Sequence, residues 1–562
     1  MKKRFKTILA FLLAVTLFAV SFLVPMSAFA ADNELNFVVA SDIHIDGCRD
    51  TLPVYYPENE LYFHANGSGN LYDEAPGLLK TFLKEAAEMK SDFVLIPGDM
   101  TRSGNEEQHK FVADILKNFE KKAGIPVYVV PGNHDYFNST PAQFKEYYAD
   151  VCYKNVLTVD SETASYTVDL PMNYRLIAVD SNDPGNNGDG MTNRLYNWIG
   201  EQVAAANADG KKVIYTMHHT LLEHLPLAQV VIKDFIVKDY KDAAEKFCEW
   251  GIQYTFTGHE HGNDIAKYTG KNGNTVYDIL TTALSSYPLE YRKVSFSDSA
   301  AKFEIERIEE CDFSSLIDGY NEKQLALMKS DYTAYSLGVF KYAIEKKITK
   351  YVSPEFIKEK LNAEDGIIAN EADALMGLVE GALEMPLYDN GDGNVSIEAL
   401  AARKGIVIPK SEYKSLIDLV SSVVAIHYHG SEYLPSSETP ECEILVKGLN
   451  TGLEYILSNA GPDALKALLG ITDDIFGFNL SNYTALSRWF ASAGSEDSYK
   501  VAGAVLYPLL DKFTVDSEPD DREVTLPAIG QHEEAPSKFI VVINTIIDIM
   551  KYVFNIVLAI IK

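Results

Sequence analysis

The chain has 562 residues, which is too long for a single hydrophobic core, so we expect at least two folded units. Hydrophobic residues make up 47% of the composition and the mean hydropathy is −0.09, which excludes a largely disordered chain. The formal net charge of −30 disfavours nucleic acid as a partner, because affinity for nucleic acid comes largely from basic residues that neutralise its phosphates.

The first thirty residues have the order of a secretory signal. Basic residues in MKKRFK precede an apolar run, and Ala28-Phe29-Ala30 supplies the small residues of a cleavage site. We therefore expect 1–30 to be removed and the protein to be secreted or held at the cell surface. The alternative is an uncleaved helix that anchors the chain.

Residues 31–311 are predicted to form an α/β domain. Six short β-branched or aromatic runs each stop at a polar cluster, and helical stretches usually follow them. The runs are Leu35–Ala40, Phe93–Ile96, Val127–Val130, Leu176–Val179, Val213–Thr216 and Tyr254–Thr257. This pattern is typical of strands buried between helices, and ligands gather where the carboxyl ends of such strands face a common crevice. Later runs between residues 275 and 308 are expected to form a second sheet.

The second half of the chain is dominated by helical spacing. Residues 312–515 are predicted to form a separate, mostly α-helical domain that shapes access to the first domain or anchors it at the cell envelope. Acidic and proline residues over 516–537 favour a solvated linker. Polar residues recur at helical spacing in the apolar segment 538–562, which predicts an amphipathic helix. That helix is expected either to make peripheral contact with a membrane or to pack on the helical domain.

Five clusters of side chains that can bind metal follow the predicted strands. They are Asp42-Ile43-His44, Gly98-Asp99, Gly132-Asn133-His134-Asp135, Met217-His218-His219 and Gly258-His259-Glu260-His261. Carboxylate oxygens and imidazole nitrogens suit zinc, manganese or iron, and no thiolate is needed. One such cluster would mean little, but five in succession predict a metal site rather than scattered core residues.

In this order, D-x-H, GD, GNHD, H and GHxH resemble the motifs of the calcineurin-like metallophosphoesterase superfamily, over about residues 34–310. The resemblance implies a four-layer α/β fold, a β-sandwich flanked by helices, with two divalent or trivalent metal ions at its edge. It implies hydrolysis of phosphate mono- or diesters by a metal-activated water. The first ion would be held by Asp42, His44 and His261, the second by Asn133, His218 and His259, and both by Asp99.

The same resemblance assigns two catalytic residues. His134 would stabilise phosphoryl charge or protonate the leaving oxygen, with Asp135 orienting it. The alternative for His134 is a purely structural histidine.

Three further residues are candidates for substrate contacts because of their places in the loops, namely Arg102, His219 and His224. An ion pair is the alternative for Arg102 and a supporting role is the alternative for the histidines. The insertion from Gly47 to Pro76 is expected to form a lid that shapes specificity.

Three weaker patterns carry no site prediction. Residues 389–394 are similar to a calcium loop, but Tyr388 would then take the first ligand position. His427 and His429 are expected on a solvated loop, and the alternative is a weak metal site at an exposed helix end. The five cysteines have no disulfide or zinc spacing, and Cys48 is interpreted as a packing residue rather than a ligand.

The sequence therefore predicts an exported phosphoester hydrolase. One alternative is a lipid-directed phosphodiesterase that 538–562 holds near the headgroups. Another is a surface interaction protein in which the helical domain is the functional part and the metal-binding domain is only a scaffold, although the complete ligand set argues against it.

Overall fold

The computed structural model describes residues 34–46, 69–182, 191–224, 235–310, 322–351, 377–460 without 392 and 433, and 488–531 without 490, 491, 494, 496 and 516–519. The predicted signal segment, most of the predicted lid, and the predicted amphipathic helix 538–562 lie outside the described residues. None of the helices in the described part has the length and apolar character needed to cross a membrane.

Two mixed β-sheets form the centre of the first domain. The first has the strand order β13-β12-β11-β1-β2-β3, and the second has the order β4-β5-β6-β7-β8-β10-β9. The strands are β1 Leu35–Val39, β2 Phe93–Ile96, β3 Val127–Val129, β4 Thr158–Val159, β5 Tyr166–Leu170, β6 Tyr174–Ala178, β7 Lys212–Thr216, β8 Tyr254–Thr257, β9 Asp264–Thr269, β10 Thr275–Leu280, β11 Glu290–Phe296, β12 Ala300–Arg307 and β13 Glu523–Pro527.

The two sheets pack face to face through a core of aromatic residues. Phe37 of β1 lies with its ring centroid 5.4 Å from that of Phe256 in β8, so one side chain from each sheet meets in the interior. Phe296 of β11 packs edge-on against Phe37 at the same distance. Burial of each such side chain stabilises the fold by about 1.5–3 kcal/mol.

Helices cover the outer faces of the sheets, and the sequence sets where they begin and end. They are α1 Ala75–Glu88, α2 Glu106–Ala123, α3 Pro141–Tyr147, α4 Asn193–Ala208 and α5 Tyr240–Trp250. For α2, the Asn105 side chain accepts a hydrogen bond from the Gln108 backbone N–H at 2.9 Å, and Gly124 ends the helix at φ 73°.

The prediction that the runs between 275 and 308 form one second sheet is wrong. Strand β10 joins the sheet of β8, whereas β11 and β12 join the sheet of β1. The local pattern predicted the strands correctly, but their partners are set by long-range contacts that the pattern does not contain.

The helices of the C-terminal half are α6 Glu322–Ser330, α7 Tyr332–Tyr351, α8 Ile397–Ala402, α9 Leu416–His429, α10 Pro440–Ala460 and α11 Ser498–Thr514. Helices α6 and α7 do not belong to a separate core. Met328, Tyr335 and Val339 are buried in the same hydrophobic cluster as the first sheet. A second cluster, which includes Leu419 and Leu445, forms the interior of the helical domain.

The prediction of a solvated linker over 516–537 is wrong for residues 523–527. This segment is β13, the edge strand of the first sheet, and it pairs antiparallel with β12 from Ala300↔Pro527 to Glu304↔Glu523. The acidic residues that suggested a linker include Asp521, which is buried and accepts a hydrogen bond from the Ile265 N–H at 2.7 Å.

The predicted fold class is confirmed, since two mixed sheets flanked by helices precede a helical region. Among the described cysteines, Cys152, Cys248 and Cys442 are free and buried, as expected of packing residues.

Candidate metal centre

The first set of predicted ligands lies at one edge of the first sheet. Asp42 and His44 follow β1, Asp99 follows β2, and Asn133 follows β3. These three strands are parallel neighbours, so their carboxyl ends lie side by side. Three chain segments that are far apart in sequence are therefore brought together.

The second set lies at the facing edge of the second sheet. His218 follows β7, and His259 and His261 follow β8, which is parallel to β7. The centre thus occupies the crevice between the carboxyl ends of strands from both sheets.

Five of the seven predicted ligands adopt backbone conformations that non-glycine residues rarely use. Their φ values are 54° for Asp42, 51° for His44, 52° for Asp99, 73° for His259 and 63° for His261. A left-handed conformation costs about 1–2 kcal/mol per residue, so the surrounding contacts must enforce it. Such strain is concentrated where side chains have to converge on one point.

Glycines next to the ligands leave room for this convergence. A Cβ atom on Gly132 would lie 2.1 Å from Asp99 Oδ1, and one on Gly98 would lie 2.4 Å from His218 Nδ1. Any larger residue at these positions would displace a predicted ligand.

The ligand atoms form overlapping groups. In the first, His261 Nε2 lies 3.3 Å from Asp42 Oδ1 and 3.2 Å from His44 Nε2. In the second, His218 Nε2 lies 3.4 Å from Asp99 Oδ2 and 3.2 Å from Asn133 Oδ1. His259 shares a group with Asp99 and His218 whose ligand atoms are all within 4.8 Å of one another.

Asp99 lies between the two groups. Its Oδ2 is 3.4 Å from His218 Nε2 on one side and 3.7 Å from His44 Nε2 on the other. A carboxylate in this position can contact two ions at once. The predicted bridging role of Asp99 fits this geometry.

The residues present fit a pair of cations. Asp42 Oδ1 is buried and has no hydrogen-bond partner of acceptable geometry, which is costly for a carboxylate unless a cation compensates it. The donors are carboxylate and amide oxygens and imidazole nitrogens, the ligand set of zinc, manganese and iron. Among the described residues, the acid and histidine groups close enough to share an ion all belong to this centre, and none includes Asp389 of the calcium-like loop.

A neighbouring backbone group fixes the tautomer of His218. Its Nδ1 donates to the Pro97 carbonyl at 2.8 Å, so Nε2 is the nitrogen that is turned to Asp99 and Asn133. Burial lowers the pKa of this imidazole, but Asp99, Asp42 and the Pro97 carbonyl together outweigh that effect and raise the pKa to about 9. The same negative potential favours a metal cation.

His134 lies at the centre, but Asp135 does not orient it as predicted. A ring nitrogen of His134 shares a group with His44 and Asp99 within 4.8 Å. Its Nδ1 is 2.8 Å from the carbonyl of Arg102, which is the group that holds the ring. The predicted contact from Asp135 is wrong because that carboxylate points into the loops, where it accepts hydrogen bonds from the backbone N–H groups of Thr101 and Gly132, both at 3.0 Å.

The Arg102 side chain is already engaged by the protein. Its Nη1 donates to Asp46 Oδ2 at 2.7 Å, and its guanidinium carbon lies 4.1 Å above the ring of Tyr72. The ion-pair alternative describes this arginine, whereas a contact with substrate stays a prediction.

His219 is a buried neighbour of the predicted ligands. Its Nδ1 is 2.8 Å from Ser181 Oγ, and its ring centroid is 4.6 Å from that of His259. Burial lowers the pKa of His219 to about 3, so the imidazole is neutral. These contacts favour the supporting role over a substrate contact.

The prediction of a substrate contact for His224 is wrong. Its side chain has no exposed surface, and both ring nitrogens are bonded to carboxylates, Nδ1 to Asp264 at 2.5 Å and Nε2 to Asp278 at 3.1 Å. The predicted solvated loop for His427 and His429 is also wrong, because both lie in the last turn of α9, where His427 is next to Gly262 and His429 is next to Glu290 of the first domain.

Two aromatic residues at the centre were missed by sequence reasoning. Phe235 packs against His259 with ring centroids 4.3 Å apart, and the exposed ring of Phe137 lies 4.5 Å from that of His134. Phe137 could have been found from its position three residues after His134. Nothing in the local sequence marks Phe235.

Comparison with known proteins finds similar sequences and structures. Residues 35–263 match the model of the calcineurin-like phosphoesterase family. A probable glycerophosphodiester phosphodiesterase, GpdQ, of Arcobacter nitrofigilis is 28% identical over 130 residues, which are 23% of this chain. The match spans 42% of the length of that relative.

Solved structures that resemble this one have low overall similarity. A dimetal phosphatase from Danio rerio is 13% identical with a TM-score of 0.35, and the match covers 48% of this chain and 95% of the other. The purple acid phosphatase PPD1 of yellow lupin, Lupinus luteus, is 14% identical with a TM-score of 0.32, and the match covers 51% of this chain and 52% of the other.

Proposed function

Because residues 35–263 form a calcineurin-like phosphoesterase domain, we propose that the protein is an exported dinuclear-metal hydrolase of phosphate mono- or diesters. Export is proposed from the N-terminal sequence alone, and secretion or retention at the cell surface follows from it.

One observation carries the reaction class. Asp99 Oδ2 lies between two groups of nitrogen and oxygen donors, at 3.4 Å from His218 Nε2 and 3.7 Å from His44 Nε2. A shared carboxylate flanked by two donor groups is what a pair of close cations requires. Two such ions supply a nucleophilic water of lowered pKa and a clamp for the phosphoryl oxygens.

The side chains of the centre supply the rest of the chemistry. Two of these side chains are held in place before substrate binds, since the Pro97 carbonyl binds the ligand His218 and the Arg102 carbonyl binds His134. His134 is half-buried beside Asp99, where it stabilises charge on the phosphoryl group or passes a proton to the leaving oxygen.

The substrate class is proposed to include phosphodiesters. The name of the Arcobacter relative supports this choice, because it describes a probable glycerophosphodiester phosphodiesterase. A glycerophosphodiester is a glycerophospholipid without its acyl chains, so the lipid-directed alternative uses the same chemistry and differs in where the ester is presented.

A panel of substrates tests the proposal. Turnover of mono- and bis-nitrophenyl phosphate, glycerophosphodiesters and phospholipid vesicles is measured with added Mn²⁺, Zn²⁺ or Fe²⁺, together with the metal content of the protein. We expect hydrolysis of at least one ester class, and a loss of bound metal and of at least roughly 100-fold in rate in Asp99→Asn.

A matched control separates the centre from general damage. Asp160 is a buried carboxylate that is bonded to Arg194 at 2.7 Å rather than to the predicted ligands. Asp160→Asn is expected to keep its metal and a rate within a few-fold of wild type. Normal turnover in Asp99→Asn, or a folded wild type that hydrolyses no phosphate ester with any of these metals, overturns the proposal and favours the interaction-protein alternative.

A further inference from the structure

The loop that carries two predicted ligands adopts a strained conformation. We define the ligand loop as residues 258–263, directly after β8. His259 and His261 both have positive φ values, 73° and 63°. Contacts from outside the loop must therefore hold it, because each left-handed residue costs about 1–2 kcal/mol.

The first domain supplies part of this support. The N–H of His259 donates to Asp42 Oδ2 at 3.0 Å, and the hydroxyl of Thr282 donates to the carbonyl of His261. The hydroxyl of Thr220 donates to the side chain of Glu260 at 2.8 Å. Asn263, the last residue of the loop, is bound from the other domain.

The helical domain reaches the ligand loop through the end of α9. We define the helix end as residues 428–430. The N–H of Asn263 donates to the carbonyl of Tyr428 at 3.2 Å, and the last carbonyls of a helix have no partner within it. A Cβ atom on Gly430 would lie 2.8 Å from the carbonyl oxygen of Asn263, so the two backbones are in direct contact.

Arg522 links the helix end to the same residue of the loop. Its Nη1 donates to the carbonyl of His429 at 2.6 Å and its Nη2 to Glu290 Oε1 at 2.9 Å. Glu290 is fully buried, and its other oxygen accepts a hydrogen bond from Asn263 Nδ2 at 2.8 Å. Arg307 also binds Glu290, which keeps this carboxylate in place.

We propose that the helix end and Arg522 hold His261 in the conformation in which it binds metal, so that the helical domain sets the affinity of one of the two ions. The inference rests on the proposed function, because it takes His261 to be a ligand. The residues involved are positioning residues, since they touch the ligand loop and not the reacting groups.

These contacts predict that a change at the helix end weakens binding of the ion held by the His261 group more than binding of the other ion. The helix end touches Asn263, two residues from His261, which groups with Asp42 and His44. Asp99, Asn133 and His218 are held by other loops, at the ends of β2, β3 and β7. A shift of the helix end therefore displaces the first group and leaves most of the second in place.

The experiment compares three glycine-to-alanine variants. Gly430, Gly124 and Gly405 have φ values of +66°, +73° and +72°, so alanine suffers the same backbone strain at each. An added Cβ meets nothing within 4 Å at Gly124 or Gly405, whereas at Gly430 it meets the carbonyl of Asn263. Gly124→Ala and Gly405→Ala therefore control for the loss of stability in each domain.

The primary measurement is Mn²⁺ binding to the metal-free protein by calorimetry and by EPR of the free ion. We expect one of the two binding steps to weaken by roughly 10-fold or more in Gly430→Ala and the other to stay within about twofold, as for other residues that support a ligand. The two controls should lose thermal stability but bind both ions as wild type does. Excess Mn²⁺ should restore kcat in Gly430→Ala, which a purely structural defect would not allow.

A second pair of variants keeps the test decisive if Gly430→Ala does not fold. Arg522→Met removes the link to Glu290, and Arg175→Met removes a paired arginine from β6, where it binds Asp169 at 2.7 Å. We expect one of the two Mn²⁺-binding steps to weaken by a few-fold in Arg522→Met, and neither step to weaken in Arg175→Met. A wild type that binds fewer than two ions of each of Mn²⁺, Zn²⁺ and Fe²⁺ refutes the proposed function. If wild type binds two ions and Gly430→Ala binds them as its controls do, this inference fails and the proposed function stands. If Gly430→Ala does not fold, the same conclusion follows when Arg522→Met binds both ions as Arg175→Met does.

Discussion

Two buried clusters of histidine and aspartate in the first domain have nearly the same composition but opposite hydrogen bonding. In the metal centre, Asp42 Oδ1 has no hydrogen-bond partner and lies 3.3 Å from His261 Nε2. In the second cluster, which we call the His224 triad, His224 donates from both ring nitrogens to Asp264 and Asp278.

The difference separates a ligand cluster from a structural one. The carboxylate of Asp278 also accepts hydrogen bonds from the N–H groups of Leu221 and Leu222 and from the hydroxyl of Thr257. A histidine with both nitrogens bound to carboxylates has no lone pair for a metal. Residue type alone therefore does not identify a metal site, and the pairing of each atom does.

The largest expected effect is on stability, in the His224 triad. His224→Gln leaves the buried Asp264 and Asp278 without their shared cation, which should lower the free energy of unfolding by about 3–5 kcal/mol. Urea denaturation measures this change, and the folded fraction should still bind two metal ions. His109→Gln is a matched control, since His109 is a buried histidine bonded to Tyr148 and to a backbone carbonyl. An equal loss in the control would contradict the interpretation.

The pH dependence gives a second measurement on the same variant. Burial lowers the pKa of His224, but Asp264 and Asp278 outweigh it and raise the pKa well above its ordinary value. The folded protein therefore holds this proton to higher pH than the unfolded chain does. The stabilisation is complete below about pH 6.5 and decreases as the pH rises from there towards the folded-state pKa. The stability difference between wild type and His224→Gln should therefore shrink as the pH rises above about 6.5.

For Asp42→Asn in the metal centre we expect a large loss of activity and only a small loss of stability. The amide that replaces the Asp42 carboxylate keeps an oxygen for the N–H of His259 but loses the charge that binds an ion, so turnover should fall by at least roughly 100-fold. The free energy of unfolding measured with chelator should change by no more than about 2 kcal/mol. A strongly destabilised variant that retains both ions would remove the distinction between the two clusters.

The smallest effect is expected for Arg102→Met. The guanidinium is paired with Asp46 and packed on Tyr72, and the group that holds His134 is the backbone carbonyl of Arg102, which the substitution keeps. Loss of a partly exposed ion pair costs about 1 kcal/mol or less. Steady-state kinetics should give a kcat/KM within about fivefold of wild type. A tenfold rise in KM would instead identify Arg102 as a substrate contact.

Much of the metal centre could be predicted because its determinants are local. Each of the five motifs follows an apolar run, and β1, β2, β3, β7 and β8 all form where those runs occur. Parallel neighbours then place the motifs at a common edge. The convergence of Asp42, Asp99 and His218 follows from those two facts.

The features that sequence reasoning missed depend on contacts between distant segments. Asp135 follows His134 in sequence, yet the Arg102 carbonyl orients His134, because the GD and GNHD loops pack against each other. His224 follows the H motif, yet its partners come from β9 and β10. Neither pairing has a signature in the residues that surround it.

Strand β13 has a consequence for how the protein folds during synthesis and for where it can be truncated. It pairs with β12 although almost the whole helical domain lies between them in the chain. During synthesis, β12 therefore emerges from the ribosome long before its neighbour and has an open edge that favours aggregation. A recombinant fragment that ends near residue 311 would keep that edge permanently and would also lack Arg522. The first domain is thus defined by two separate stretches of sequence, and truncation at the apparent boundary removes part of it.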